Sequence, residues 1–481
     1  MSQKNTSRRT FLKTTGLGLA SLMFAPLTGC SSSEQDQPNV ILIMADDLGW
    51  GDTAYNGHPE LQTPHLDAMA ANGLQFDRWY ASNPVCSPTR GSCLTGRHPY
   101  RYGILSANVE SLPAEEITLA EVLKENGYRT GHFGKWHLGT LTKVVKDSNR
   151  GGPLSKQHYA PPWEHGFDVC FSTESRTPTY DPLLSPSLEA GPLRRGQEPG
   201  KSFQTYYWNG PGQIATENLD GDDSRIIMDR VIPFVRETAG TDRPFFSVVW
   251  FHSPHEPVVG DPEYMAKYSH LSEDEQHYYA TVTAMDDQIG RLRSELQDLG
   301  IADNTMIWFC SDNGPSWLRV SPRCVGSPGP FRERKGSLYE GGVRVPGILE
   351  WPEKVTGGRS TDIPCSTSDY YPTILSALGV NVESQVQPVD GIDIMPLING
   401  EMQERPSPIA FQQRNRAALS DNRYKIITGE IESGEYELYD LIADPGEQNN
   451  IANDHPGIVA SMQEELEVWL ASVEKSRSGS D

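Results

Sequence analysis

Asn39-Val40-Ile41-Leu42-Ile43-Met44-Ala45 is an unbroken, largely apolar run that ends in two carboxylates, Asp46-Asp47. A run of this length reads as a strand covered on both faces, and charges at its carboxyl end read as a site. The same grammar returns three times. Residues 128–134 lead to Lys135-Trp136-His137, residues 245–251 to His252-Ser253-Pro254-His255, and residues 306–311 to Asp312-Asn313-Gly314. The second run is the least apolar. Helix signals alternate with these strands. Thr63-Pro64 caps and starts a helix that stops at Gly73, with Leu66, Met69 and Ala70 on one face. Thr118 with Glu121, and Ser272 with Glu275, form capping-box patterns ahead of helices stopped by Gly127 and Gly300. The alternation predicts an α/β fold with an open sheet. Ligands of such sheets gather outside the carboxyl ends of the strands, so all four polar clusters are expected on one edge.

The chemistry expected there derives from the donor types. Asp46, Asp47, Asp312 and Asn313 offer only oxygen, which suits a hard cation, Ca²⁺ before Mg²⁺, rather than zinc. Adjacent carboxylates repel, and a bound cation explains their coexistence. Singly, either cluster reads as a turn or a helix cap; the pair at two strand ends carries more. Arg90, Lys135 and Lys335 are candidate anion ligands. His137 and His255 are candidate acid/base groups because imidazole titrates near neutral pH, and His252 competes with His255.

Cys86-Ser87-Pro88-Thr89-Arg90, continued as Leu94-Thr95-Gly96, resembles the maturation signature of the type I sulfatases. Gly127 to Gly139, including Gly134-Lys135-Trp136-His137, is similar to that family's second signature. Pro254-His255-Glu256-Pro257 resembles its histidine motif, and Lys335-Gly336-Ser337-Leu338-Tyr339-Glu340-Gly341-Gly342 its lysine motif. Leu438-Tyr439-Asp440-Leu441 with Asp444-Pro445 and Glu447 resembles the family's C-terminal ending, so the likeness spans residues 38–450. It implies an alkaline-phosphatase-like large sheet sandwiched by helices, with a small C-terminal antiparallel sheet and helix.

It also implies a chemistry. A cytoplasmic maturing enzyme oxidises Cys86 to formylglycine (3-oxoalanine) before folding buries it, and the aldehyde hydrate is the nucleophile. One Ca²⁺ is held by Asp46, Asp47, Asp312, Asn313 and residue 86. Arg90 stabilises the hydrate. Lys135, Lys335 and His255 surround the sulfate, with His255 protonating the departing sugar oxygen. His137 takes the proton that lets sulfate leave. The implied substrate is a sulfate ester of a poly- or oligosaccharide. Two other readings stay open: a formylglycine-dependent phosphonate or phosphodiester hydrolase, and a non-catalytic glycan-binding lipoprotein.

The remaining sequence sets the context. Ser7-Arg8-Arg9-Thr10-Phe11-Leu12-Lys13 looks like a twin-arginine motif, and Leu27-Thr28-Gly29-Cys30 like a lipobox. Residues 1–29 are therefore expected to be an export signal, and 30–37 a polar tether with its lipid on Cys30. The product would be exported, periplasmic or at the cell surface, with Ser31 favouring the outer membrane. Beyond this segment no apolar run is long enough to span a bilayer. The net charge of −23 repels nucleic acid, and it also repels polyanionic substrates unless a local cationic site overcomes it. The seven cysteines contain no zinc-type pair. A catalytic domain is expected over 38–400 and a smaller one over 401–481. The latter carries strand signals at 409–412, 424–428 and 436–439 and a helix over 456–474. Residues 140–223 and 315–334 are rich in glycine, proline and serine and are expected to line the leaving-group pocket. Tyr180, Tyr206, Tyr207, Trp208 and Trp317 are candidates to stack on sugar rings, and Arg176, His165 and Arg319 to meet carboxylates or neighbouring sulfates.

Overall fold

The computed structural model describes residues 37–194, 196–382 and 385–480. The export signal and all but the last residue of the tether lie outside the described residues. Along the strand Asn39–Ala45 successive side chains face opposite ways, and both ways are interior. Val40, Leu42 and Met44 enter one apolar core, while Ile41, Ile43 and Ala45 enter another on the opposite face. That double burial is why the run is apolar throughout.

Thr305–Ser311, Asn39–Ala45, Phe245–Trp250, Arg129–Lys135 and Val169–Thr173 lie side by side in this order, all parallel, at the centre of a ten-stranded sheet. Antiparallel pairings flank them. Gly347–Glu350 pairs beside Thr305–Ser311, and the short strands Trp208–Gly210 and Gln213–Ile214 close the other side. Register brings the strand ends level: Ala45 pairs with Ser311, Met44 with Trp250, Gly134 with Trp250 and Lys135 with Thr173. The segments that leave these strands therefore emerge at one edge.

Helices cover both faces. Pro64–Asn72, Asp223–Ala239 and Glu273–Asp298 bury Leu66, Val231 and Leu292 in one core. Cys86–Thr95, Leu119–Glu125 and Tyr370–Ala377 bury Leu94, Leu123 and Ile374 in the other. Both expected capping boxes form, at Thr118 with Glu121 and at Ser272 with Glu275. Thr63 makes no side-chain cap; its hydroxyl instead donates to Asp67 and accepts from the Ala54 amide. Among the elements not expected from the sequence are the strand Val169–Thr173, inside the segment read as irregular, and the helix Asp223–Ala239.

The C-terminal strands Ile409–Gln413, Arg416–Ser420, Tyr424–Thr428 and Tyr436–Asp440 form an antiparallel sheet in chain order; the second of them is an addition to the reading. Leu419, Ile426 and Leu438 pack on Met462 and Leu466 of the helix Pro456–Arg477. Phe411, Ala418 and Ile427 pack the other way, on Tyr80, Leu338 and Val343. The fold is thus mixed α/β with a large central sheet and a small antiparallel sheet seated on it.

Candidate active site

Asp46 and Asp47 leave the end of Asn39–Ala45 and are 0 % and 1 % exposed. Asp47 sits at φ 65° and His137 at φ 58°, left-handed conformations that ordinary residues adopt at a cost. Lys135 ends its strand directly after Gly134. That glycine is at φ +99°, and a Cβ there would lie 2.0 Å from the Trp250 carbonyl oxygen, so no other residue fits. Cys86 is the first residue of the helix Cys86–Thr95, at the end where unpaired amides favour negative charge. Arg90 lies one turn later.

These groups close on one another. Arg90 Nη2 donates to Asp312 Oδ2 at 2.8 Å and lies 3.6 Å from Asp46 Oδ1, while Nη1 donates to the Lys135 carbonyl at 3.2 Å. Lys135 Nζ is 2.5 Å from Asp46 Oδ2, and Lys335 Nζ is 2.5 Å from Asp47 Oδ1. Asn313 Nδ2 donates to Asp47 Oδ1 at 2.7 Å. His255 directs Nδ1 to the Glu256 carbonyl at 2.6 Å and brings Nε2 to 3.7 Å from Asp47 Oδ2. His137 Nε2 lies 3.1 Å from Asn108 Oδ1, which leaves Nδ1 buried and without a partner.

The donor set fits a cation. Asp46 Oδ1, Asp47 Oδ2 and Asn313 Oδ1 are buried and accept no hydrogen bond. Buried polar atoms seldom stay unsatisfied without reason. Ligand atoms of Asp46, Asp47, Cys86 and His255 lie within 4.8 Å of one another. Asp312 is not in that set of four but lies beside it, next to Asp46 and Cys86; its Oδ1 accepts from the Asp47 amide at 3.0 Å and its Oδ2 from Arg90 at 2.8 Å. Burial pushes every carboxyl here upward. At Asp46 the cations Lys135, Arg90 and Lys335 outweigh burial and hold the group below the usual carboxylate range. At Asp47 burial, aided by Asp46 and Asp312, prevails over Lys335 and raises the group to about 7. Burial, with Asp312 beside it, pushes the Cys86 thiol up. Burial also drives His137 and His255 well below the usual imidazole range, helped at both by Lys135.

All ten site residues read from the sequence thus meet at one strand edge, Asp312 among them beside Arg90 and Asp46. His252 does not join them. It is buried, with Nδ1 2.7 Å from Asp223 Oδ2 and Nε2 2.7 Å from Thr173 Oγ1. A cleft of about 800 Å³ opens over Lys335, Val85 and Glu256. Trp317 and Arg319 line it, as expected. Tyr206, Tyr207, Trp208, Tyr180 and His165 do not. Tyr207 stacks on Phe171 and bonds Asp223, Trp208 Nε1 donates to Asp147, and His165 packs against Trp136. Arg176 reaches the cleft only through its ion pair with Glu256, at 2.8 Å. Three contributors were missed. Asn108 orients His137. Glu256 holds His255. The turn at Gln413 to Arg416 walls the cleft from the C-terminal sheet.

Residues 38–380 match the sulfatase family, and residues 329–475 match the C-terminal region of N-sulphoglucosamine sulphohydrolase. The N-acetylgalactosamine-6-sulfatase of Canis lupus familiaris is 32% identical over 406 residues, which is 82% of this chain and 72% of that protein. The steryl-sulfatase of Mus musculus is 31% identical over 439 residues, covering 79% and 68%. The crystal structure of Ps i-CgsB in complex with k-i-k-neocarrahexaose superposes with a TM-score of 0.75 at 28% identity, covering 90% of this chain and 92% of that one. The chain therefore belongs to the sulfatase family, in the alkaline-phosphatase-like superfamily, and is a sulfuric ester hydrolase.

Proposed function

We propose that this enzyme removes sulfate from a sulfated carbohydrate, with residue 86 acting as formylglycine and one Ca²⁺ in the carboxylate cluster. The observation that carries the metal is the set of three buried oxygens on Asp46, Asp47 and Asn313 that accept no hydrogen bond, two of these residues belonging to the group around Cys86. Charge supports it. Three carboxylates face three cations, Arg90, Lys135 and Lys335, so the cluster by itself sums to zero and has no net pull on an anion. When bound, the cation would supply two positive charges beside the sulfate and the nucleophile. The oxidised residue would supply a hydroxyl nucleophile; the thiol, pushed up by burial, is a poor one at neutral pH.

The side chains divide the remaining work. Lys135 and Lys335 each spend one donor on a carboxylate and keep others for sulfate oxygens. His255 fixes its Nδ1 proton on the Glu256 carbonyl, so Nε2 faces the cluster and can donate to the departing oxygen. Burial, with Lys335 and Lys135, keeps the ring neutral against the pull of Glu256. An anion between the lysines would offset their repulsion and let the ring carry that proton. His137 turns Nε2 to Asn108 and leaves Nδ1 as a proton acceptor. Arg90 holds Asp312 and Asp46 in place from a fully buried position.

The carbohydrate reading draws on the relatives. One is named for N-acetylgalactosamine 6-sulfate, and one structure carries a neocarrahexaose. The test is inorganic sulfate release from a panel of sulfated oligosaccharides and a steryl sulfate, with phosphate esters in parallel. The protein is co-produced with a maturing enzyme, and Cys86→Ala is the control. Release from a saccharide, lost in the control, is the expected result. Release from the steryl or phosphate ester alone would overturn the carbohydrate reading. The proposal extends to location: export by the twin-arginine signal and lipid anchoring at Cys30. Fatty-acid labelling that persists in a Cys30→Ala variant would refute the anchor.

A further inference from the structure

The cleft above the cluster has the wrong sign of charge for its protein. The chain holds 64 acids and 41 bases, yet the cleft is lined by Lys335, Arg319, Arg414 and Arg416 against Glu256 and Glu333. Glu256 is already neutralised by Arg176. Arg416 is also occupied, donating to the Thr428 carbonyl and lying over the Tyr339 ring. Arg319 and Arg414 are different. Both are exposed, and among the described residues neither forms an ion pair.

Both are also held. The Arg319 guanidinium lies 4.2 Å over the Trp317 ring, and Trp317 Nε1 donates at 2.8 Å to the carbonyl of Lys335 itself. Stacking on an aromatic face leaves the edge N–H groups of a guanidinium free for an anion. Arg414 forms the tip of the turn between Ile409–Gln413 and Arg416–Ser420, at φ 56°, and its amide donates at 2.7 Å to the hydroxyl of buried Tyr100. Two guanidiniums without an ion pair, one stacked on Trp317 and one on an anchored turn, thus line the cleft together with Lys335.

We propose that Arg319 and Arg414 form an anion subsite that selects a saccharide bearing a second acidic group, sulfate or carboxylate, beside the sulfate to be cleaved. The proposal rests on the carbohydrate reading above. It adds that the substrate is at least doubly charged, and that specificity is shared between the loop after Asn313 and the C-terminal sheet. It also explains how a protein of net charge −23 retains a polyanion: the attractive charge is concentrated where the substrate docks.

The test measures binding by Cys86→Ala protein in Ca²⁺ buffer, so no turnover is needed. The probes are matched pairs of sulfated galactose, N-acetylgalactosamine and glucosamine saccharides. Each pair differs by one added sulfate or one added uronate. The added group is expected to tighten binding about tenfold or more in at least one pair, the scale of one charge-assisted hydrogen bond. The Arg319→Gln/Arg414→Gln protein should lose that gain. Arg423→Gln, which alters an arginine in the turn before Tyr424–Thr428 and outside the cleft, should keep it. Whether the gain tracks sulfate or uronate names the group. No gain in any pair, or a gain that survives in the double variant, overturns the subsite. If matured wild-type protein releases sulfate from none of the saccharides that bind, the carbohydrate sulfatase reading fails separately, and the binding data still judge the subsite.

Discussion

Replacing Lys425 by methionine should destabilise the enzyme far more than a surface lysine change would. Lys425 is fully buried on Tyr424–Thr428, with Nζ 2.8 Å from Glu340 Oε1 and 3.0 Å from Glu447 Oε1. Glu340 keeps other partners, since Tyr80 donates to its Oε2 at 2.9 Å and Arg344 lies 3.4 Å away. Glu447 does not. Its Oε2 accepts from the Glu340 amide at 2.6 Å, but Oε1 has Lys425 as its ion-pair partner and no hydrogen bond. Methionine fills the lysine's volume, so the loss is electrostatic: burial and Glu340 raise Glu447 to about 7 even against Lys425, and without Lys425 the group must be buried unpaired or give up its charge. Breaking a buried pair in this way costs about 3–5 kcal/mol. Neutralising the stranded group should return most of it, leaving Lys425→Met/Glu447→Gln about 1–2 kcal/mol below wild type, the cost of lost hydrogen bonds. The recovery on adding Glu447→Gln is then about 1–4 kcal/mol, and the coupling between the two sites is that recovery plus the cost of Glu447→Gln alone. Urea unfolding of all four proteins, monitored by tryptophan fluorescence, measures this cycle. A single-variant deficit below about 1 kcal/mol, or a double variant no more stable than the single, would refute the reasoning.

Four further outcomes are expected. Chelation should abolish sulfate-ester turnover and lower the melting temperature, and Ca²⁺ at a thousand times its dissociation constant should return about 4 kcal/mol of stability; differential scanning fluorimetry reads both. Asp47→Asn should remove most activity yet leave the chelated protein about as stable as chelated wild type, because burial, aided by Asp46 and Asp312, already disfavours the charge it deletes, and the freed Lys335 side chain is 20 % exposed to water. Burial holds His165 down to about 4, against 6.5 for the free side chain, so the unfolded chain takes up its proton first as pH falls. Its stabilising contribution is complete above 6.5 and is lost towards 4. His165→Leu should therefore lose about 3 kcal/mol less than wild type between pH 7.5 and 4 in urea titrations. Gly134→Ala should cost at least about 3 kcal/mol or prevent soluble expression, since a Cβ at φ +99° meets the Trp250 carbonyl.

The features legible in the sequence were those that burial writes into composition. Asn39–Ala45 and Thr305–Ser311 were legible because both faces of each strand are covered, leaving no polar position. Arg129–Lys135 was harder, because Thr130 and His132 are buried polar residues with partners, the latter bonding Ser172. Val169–Thr173 escaped because five residues between proline- and glycine-rich stretches resemble a loop until their neighbour in the sheet is known. The helix Asp223–Ala239 had a readable cap at Asp222 and apolar spacing through Ile227, Val231 and Phe234, masked by Pro233 in its interior. The aromatic residues 206–208 misled for a different reason. Composition says that an aromatic ring is present, not that the Tyr207 hydroxyl finds Asp223 in the interior. Asn108 and Arg414 carry no local signal at all: each matters through contacts 29 and 314 residues away.

The same geometry explains why the site is costly to fold. Five parallel strands end level, so the residues just beyond them are forced together. Asp46, Asp47, Lys135, His137, His255 and Asp312 come from these ends, Arg90 from the helix Cys86–Thr95 and Lys335 from the loop after Asn313, with the two histidines driven neutral by burial. The ion pairs satisfy most of the cluster, but Asp46, Asp47 and Asn313 each keep one oxygen idle. An apolar or fully paired cluster would be more stable. Asp46 and Asp47 lie beside the first residue of the helix Cys86–Thr95, where unpaired amides already favour negative charge. The cluster therefore leaves its unmet bonding capacity at the point where an anion and a cation would dock together. The surrounding apolar cores carry the stability that this arrangement forgoes.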